Sequence, residues 1–182
     1  MTTNVQAARL AAIVHADDFA GADALLAAFV QSLLQCGWRV GGVVHERRTN
    51  ALGRKGMFLT DITTGREFCI SQDLGPQSHA CCIDPAGVAQ ASAVLRQALA
   101  DGVDLVIVNR FGALEAQGGG FAAEMLALAQ AGIPLVTVVA EKHFETWEAF
   151  TGGMAVRLPA HLHALCTWSA PWAPRSATQE TA

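Results

Sequence analysis

Short apolar runs alternate along this chain with longer stretches in which apolar residues recur every three or four positions. Leu10-Ala11-Ala12-Ile13-Val14-His15 has the nearly unbroken apolar character of a buried strand. A small, polar turn follows. Leu25, Leu26, Phe29, Val30, Leu33 and Leu34 then form one broad apolar face, which predicts a helix over about 23–35, stopped by Gly37. Three strands are predicted next, over 40–44, 57–62 and 67–70. Thr63-Thr64-Gly65 is a tight turn between the last two, and the polar loop 46–56 joins the first two, so the three read as an antiparallel meander. A loop rich in Gly, Pro and polar residues spans 71–80. Asp84-Pro85 has the N-cap and first-turn pattern of a second helix, running to about 100. Asp104-Leu105-Val106-Ile107-Val108-Asn109 is the clearest buried parallel strand. A third helix is predicted over 121–131, ended by Gly132, then a strand over 133–139 and a short helix over 144–150. Residues 162–168 read as a final edge strand. The segment 169–182 has prolines and no periodicity, and reads with 1–7 as a flexible terminus.

Strands alternating with helices imply an α/β domain over 8–168, with a mainly parallel sheet and an inserted antiparallel meander. A chain of 182 residues, 52% hydrophobic and 15% charged, is long and apolar enough for one sizeable core. A net charge of −4 argues against a nucleic-acid partner. No apolar run is long enough to span a membrane, and the first residues lack the basic region of a secretory signal. Five cysteines, at 36, 69, 81, 82 and 166, have no framework spacing. The expected compartment is the reducing cytoplasm, and the expected fold needs no disulfide.

Ligands of open α/β sheets sit at the carboxyl ends of strands, so the first strand–turn–helix is the first place to look for a site. A phosphate loop there would be Gly-x4-Gly-Lys-Ser/Thr. The corresponding residues are Ala16, Gly21, Ala22 and Asp23: one glycine survives, and the lysine and hydroxyl are missing. Only two lysines exist, Lys55 and Lys142, so no shifted register restores the motif. Asp17, Asp18 and Asp23 crowd the helix start, where they suit the helix dipole and repel a phosphate. Capping by Asp18 or Asp23 is the favoured reading of these carboxylates. The acidic pair that would bind magnesium after a hydrophobic strand is also replaced, by Asn109-Arg110-Phe111-Gly112.

Arg110 leads the candidates, because a guanidinium at a strand end is a bidentate donor for an oxyanion. The competing role is a salt bridge to Glu115 or Asp73. Asn109, Gly112 and Glu115 flank it, and Gly118-Gly119-Gly120 could form a backbone nest facing an anion or simply a flexible loop. Ser71 and Gln72 add neutral donors. Arg47, Arg48, Arg54 and Lys55 make a basic loop, solvated or closing over an acidic ligand or partner. His79, Cys81 and Cys82 are the one soft-ligand cluster, but adjacent cysteines chelate poorly, and small buried apolar roles are favoured over a metal site. Trp38 and Trp147 are expected in the core or an interface.

In element order, in the hairpins around Val40-Gly41-Gly42-Val43 and Thr63-Thr64-Gly65, and in the strand ending Asn109-Arg110-Phe111-Gly112-Ala113-Leu114-Glu115, the chain resembles the small cancer-related nucleoside-triphosphatases. It is more closely similar to an uncharacterised bacterial family associated with molybdate-transport and molybdenum-enzyme genes. That likeness lies in Asp61-Ile62-Thr63-Thr64-Gly65, Ile70-Ser71-Gln72-Asp73-Leu74-Gly75, Cys82-Ile83-Asp84, the Asn109 to Ala116 block and Trp147-Glu148-Ala149-Phe150-Thr151-Gly152-Gly153. The resemblances imply a three-layer P-loop NTPase-like fold with a degenerate phosphate loop at Ala16, Asp17, Asp18, Gly21 and Asp23. They imply a non-hydrolytic protein that binds an anionic small molecule, oxyanion or nucleotide, as an accessory of molybdenum metabolism or molybdate transport. A weak nucleoside-triphosphatase and a protein-binding factor with a vestigial cleft are the alternatives. The expected partners are that anion or a molybdenum-pathway protein, with homodimerisation open. No cofactor is assigned.

Overall fold

A computed structural model describes residues 8–16, 21–49, 55–71 and 83–174. Its frame is one seven-stranded sheet. In chain order the strands are β1 (Leu10–His15), β2 (Val40–Thr49), β3 (Lys55–Asp61), β4 (Glu67–Cys69), β5 (Leu105–Phe111), β6 (Leu135–Ala140) and β7 (Ala155–Leu158), and across the sheet they run β4-β3-β2-β5-β6-β1-β7. The five strands from β2 to β7 are parallel, while β3 and β4 extend the sheet antiparallel, as the meander reading requires. The chain therefore leaves β1 in one direction, toward β2, and later returns to β7 on its other side. The carboxyl end of β1 is thus a place where connections diverge, the usual position of a cleft in open α/β sheets.

Helices cover both faces. α1 (Ala22–Gln35) and α6 (Leu162–Ser169) pack on one; α2 (Pro85–Asp101), α4 (Ala122–Gln130) and α5 (Phe144–Phe150) pack on the other, with the short α3 (Ala113–Ala116) after β5. Alternation along the strands divides the core. Ile13, Leu105, Ile107 and Val138 meet Leu26, Phe29 and Leu33 of α1, whereas Ala12, Val106, Val108 and Val139 face the layer of Leu95, Met125 and Trp147. Trp38 and Trp147 are both core residues, and Trp147 meets Phe111 edge-on with ring centroids 5.1 Å apart. Asp84 caps α2 by accepting from the Ala86 amide at 3.0 Å, with Pro85 behind it.

Three expectations change. Residues 162–168 are the helix α6, because Leu165 and Trp168, three positions apart, form one buried face against α1, and His161 accepts from the Ala164 amide at its start. The edge strand is instead β7, whose half-buried residues give no strong apolar run. Residues 169–174 are not frayed: Ser169 is buried, Trp172 meets Trp168 edge-on at 5.0 Å, and a 3-10 turn spans Ala170–Trp172. The basic loop is partly strand, with Arg47 and Arg48 on β2 and Arg48 bridging Glu46 and Glu67. Arg54 lies outside the described residues.

Gly42 makes the β2–β5 seam possible. It pairs with Ile107 at φ +106, and a Cβ there would stand 2.0 Å from the Ile107 carbonyl oxygen. Gly42→Ala is expected to lower unfolding free energy by about 2–4 kcal/mol through backbone strain and overpacking, read from chemical denaturation. A loss below 0.5 kcal/mol, on the scale of a neutral surface change (about 0.5 kcal/mol), would refute the tight seam.

Candidate functional site

The helix α1 begins where β1 ends, with Gly21 as its N-cap and no side chain closing its first turn. The capping role expected of Asp23 is therefore not taken up, and Asp18 lies outside the described residues. Asp23 instead turns toward the strand ends. Its Oδ2 lies 3.0 Å from Nδ1 of His45 on β2. Its Oδ1 accepts from the Asn109 amide nitrogen at 3.5 Å and lies 3.6 Å from Nη2 of Arg110, both on β5. One carboxylate thus joins α1 to two neighbouring strands.

A bulge makes this convergence possible. Val108 is level with Thr137 on β6, but Phe111 is level with Val139, so Asn109 and Arg110 together oppose Val138. Consecutive residues of a regular strand point to opposite faces; an extra residue re-aims one of them. Asn109 and Arg110 therefore both reach Asp23 on the α1 side. Asn109 is 2% exposed, its Oδ1 and the Nε of Arg110 are buried, and neither atom has a partner among the described residues. Burial of the Asp23 carboxylate, its largest single influence, pushes its pKa up. The His45 hydrogen bond, attraction to His45 and Arg110 and the Asn109 amide together outweigh this and hold it below the usual carboxylate range.

The neighbouring loop is built differently from expectation. Glu115 neither pairs with Arg110 nor faces a cleft. It is buried, accepting from the Gly112 amide at 2.9 Å and the Phe121 amide at 3.1 Å, and so ties the start of α3 to the start of α4. Gly120, at φ +55, gives way to it, since a Cβ there would lie 2.0 Å from its Oε1. The amides of Gly118 and Gly119 donate to the carbonyls of Glu115 and Leu114, which spends two of the donors expected in an anion nest. Ser71 sits beside β4, accepting from the Met57 amide at 3.2 Å, and its bonds do not reach the Asp23 group. Asp17, Gln72, Asp73, His79, Cys81 and Cys82 lie outside the described residues, and among those described no group of three or more His, Cys, Asp or Glu could hold a metal ion.

His45 is the functional candidate that sequence reasoning missed. Its signal was the continuation of β2: Val43 and His45, two apart, are both buried while Val44 between them is half-exposed, a strand alternation that the polar residues after it obscured.

A mainly parallel sheet whose first strand leads into a helix start, facing the ends of the next strands, gives the chain an α/β fold of P-loop NTPase-like topology. The fold is that of a human cancer-related nucleoside triphosphatase solved in solution, with a TM-score of 0.62 at 17% identity over 90% of this chain and 97% of that one. By sequence the chain belongs to the family described as protein of unknown function (DUF2478), which matches residues 10–168. It is also 41% identical, over 163 residues, to the molybdenum import ATP-binding protein ModC 2 of Bradyrhizobium diazoefficiens. That match covers 88% of this chain but 18% of the relative. No helix among the described residues is long and apolar enough to cross a membrane.

Two measurements check the geometry. Asp23→Asn is expected to cost about 1.5–3 kcal/mol at neutral pH, the scale of hydrogen bonds to a charged group. Because the Asp23 pKa is lowered on folding, its contribution is complete above the ordinary aspartate range and disappears as pH falls through the folded value. The stability gap between wild type and variant should therefore close on acidification, and a gap constant from neutral to strongly acid pH would refute the pairing. Glu115→Ala, which strands two backbone donors, should cost about 1–3 kcal/mol by chemical denaturation, and a neutral result would remove its loop-tying role.

Proposed function

We propose that this is a non-hydrolytic member of the P-loop-like class that binds an anionic small molecule, oxyanion or nucleotide, beside Asp23, Asn109 and Arg110. The observation that carries the reading is the buried, unpartnered Nε of Arg110, held at the strand end by a bulge. A guanidinium with a donor to spare calls for an acceptor, and an oxyanion supplies one bidentately. Asp23 approaches Nη2 of Arg110 only at 3.6 Å, a looser contact than a hydrogen bond, so an acceptor on the ligand can compete for the guanidinium.

Hydrolysis lacks its usual parts. Ala22 and Asp23 stand where a phosphate loop has Lys and Ser/Thr, and Asn109 and Arg110 stand where carboxylates would hold magnesium and position water. The positive charge beside Asp23 is the chain's own, from Arg110. The likeness to a molybdenum import protein supports an accessory role in molybdenum uptake or metabolism.

The test is a calorimetric and thermal-shift screen in magnesium-free buffer against phosphate, sulfate, molybdate, tungstate, ATP and GTP. At least one anion should bind, and Arg110→Ala should weaken it by about tenfold to hundredfold while Arg110→Lys recovers part. ATP and GTP turnover should stay at the buffer rate. An Arg110→Ala protein that binds its anion as tightly as wild type, or a magnesium-dependent turnover abolished by Asp23→Ala, would sink this function.

A further inference from the structure

The two unpartnered atoms of the bulge differ in kind, and the difference sets terms for a ligand. Asp23, ionised because its pKa is lowered, can only accept hydrogen bonds, so the end of Asn109 that faces it is the NH2 group. Oδ1 is left over. It is an acceptor, buried in a residue 2% exposed, and it has no donor among the described residues. On the next residue, whose Nη2 approaches the same Asp23 oxygen, Nε of Arg110 is a buried donor with no acceptor. A ligand that satisfies both must bring an acceptor oxygen to Arg110 and a hydrogen-bond donor to Asn109.

Building on the reading of this cleft as an anion site, we infer that it selects oxyanions that still carry a hydroxyl, of the phosphate type, and rejects fully deprotonated oxyanions of similar shape, sulfate and molybdate among them. A deprotonated tetrahedral oxyanion has acceptors on every corner. Placed against Arg110, it leaves the Asn109 oxygen unsatisfied and sets its own lone pairs against that oxygen and the Asp23 carboxylate. A hydrogen phosphate turns one oxygen to Arg110 and its hydroxyl to Asn109, so both unpartnered atoms are met. Asn109 and Asp23 become the specificity-determining residues, and Arg110 the source of affinity. The cleft of a molybdenum-linked protein then reads a phosphate-type signal rather than the metal's own oxyanion.

Titration calorimetry on the full chain in magnesium-free buffer at neutral pH tests this. Phosphate and arsenate, which keep a hydroxyl, should bind at least about tenfold tighter than sulfate and molybdate, which do not. Asn109→Leu, which removes the acceptor, should narrow that ratio to about threefold or less. If that variant fails to fold, Asp23→Asn provides the second reading: its amide can turn a donor to the ligand, and sulfate affinity should rise relative to phosphate. Methyl phosphate separates a free oxyanion from an ester as the source. It loses its last hydroxyl above about pH 6, so an ester-binding cleft should hold it below that pH and release it above, with inorganic phosphate unchanged. A cleft for the free oxyanion should ignore it at both. Sulfate or molybdate bound as tightly as phosphate by wild type overturns the selection rule while leaving the anion site standing. Binding of no anion at all overturns both.

Discussion

A strand can aim consecutive side chains at one target only if its regular alternation is broken, and the bulge at Asn109 and Arg110 breaks it. In a regular continuation of β5, Asn109 would face α1 with Leu105 and Ile107, and Arg110 would turn to the layer that holds Val106 and Val108. With the extra residue, both meet Asp23. The rest of the site follows from that meeting. Asp23 is drawn away from capping α1, Gly21 is left to open the helix, and His45 closes on the other carboxylate oxygen. The loop after the bulge is held by its own carboxylate, Glu115, so that Gly112 and Phe121 stay in place without using Asp23 or Arg110.

The contact between the helix start and the strand end also inverts the distribution of charge that a phosphate loop has. There, a neutral hydroxyl and a lysine face strand-end carboxylates. Here the carboxylate is on the helix and the cation on the strand. Burial raises the Asp23 pKa, and the His45 hydrogen bond, then attraction to His45 and to Arg110, outweigh it and hold the carboxylate low. The carboxylate on the helix and the cation on the strand are therefore the reverse of the phosphate-loop arrangement.

Much of this was legible in the residues. The 3.6-residue period of α1, the Asp84-Pro85 start of α2 and the apolar run of β5 located their elements, because local propensity and burial agree there. The chain end was misread because β7 is only half-buried, whereas Leu165 and Trp168 gain their helical meaning from α1, which no local pattern displays. Arg110 could be placed near the carboxyl end of a buried strand from the apolar run before it. Its partner could not, since Asp23 lies 87 positions away in the chain and the bulge that joins them has no Gly or Pro to announce it. The triple glycine looked like a nest, but Gly120 is there to make room for Glu115, a packing reason invisible without coordinates.

The described fold begins and finishes at one spot. The indole nitrogen of Trp168 donates to the carbonyl of Ala8 at 2.8 Å, and the Arg9 guanidinium lies over the ring of Trp172. A domain whose incoming and outgoing chain are neighbours has a small footprint on any host polypeptide, because flanking segments need not travel around it. The match that covers 88% of this chain and 18% of its relative spans a stretch of just that compact kind.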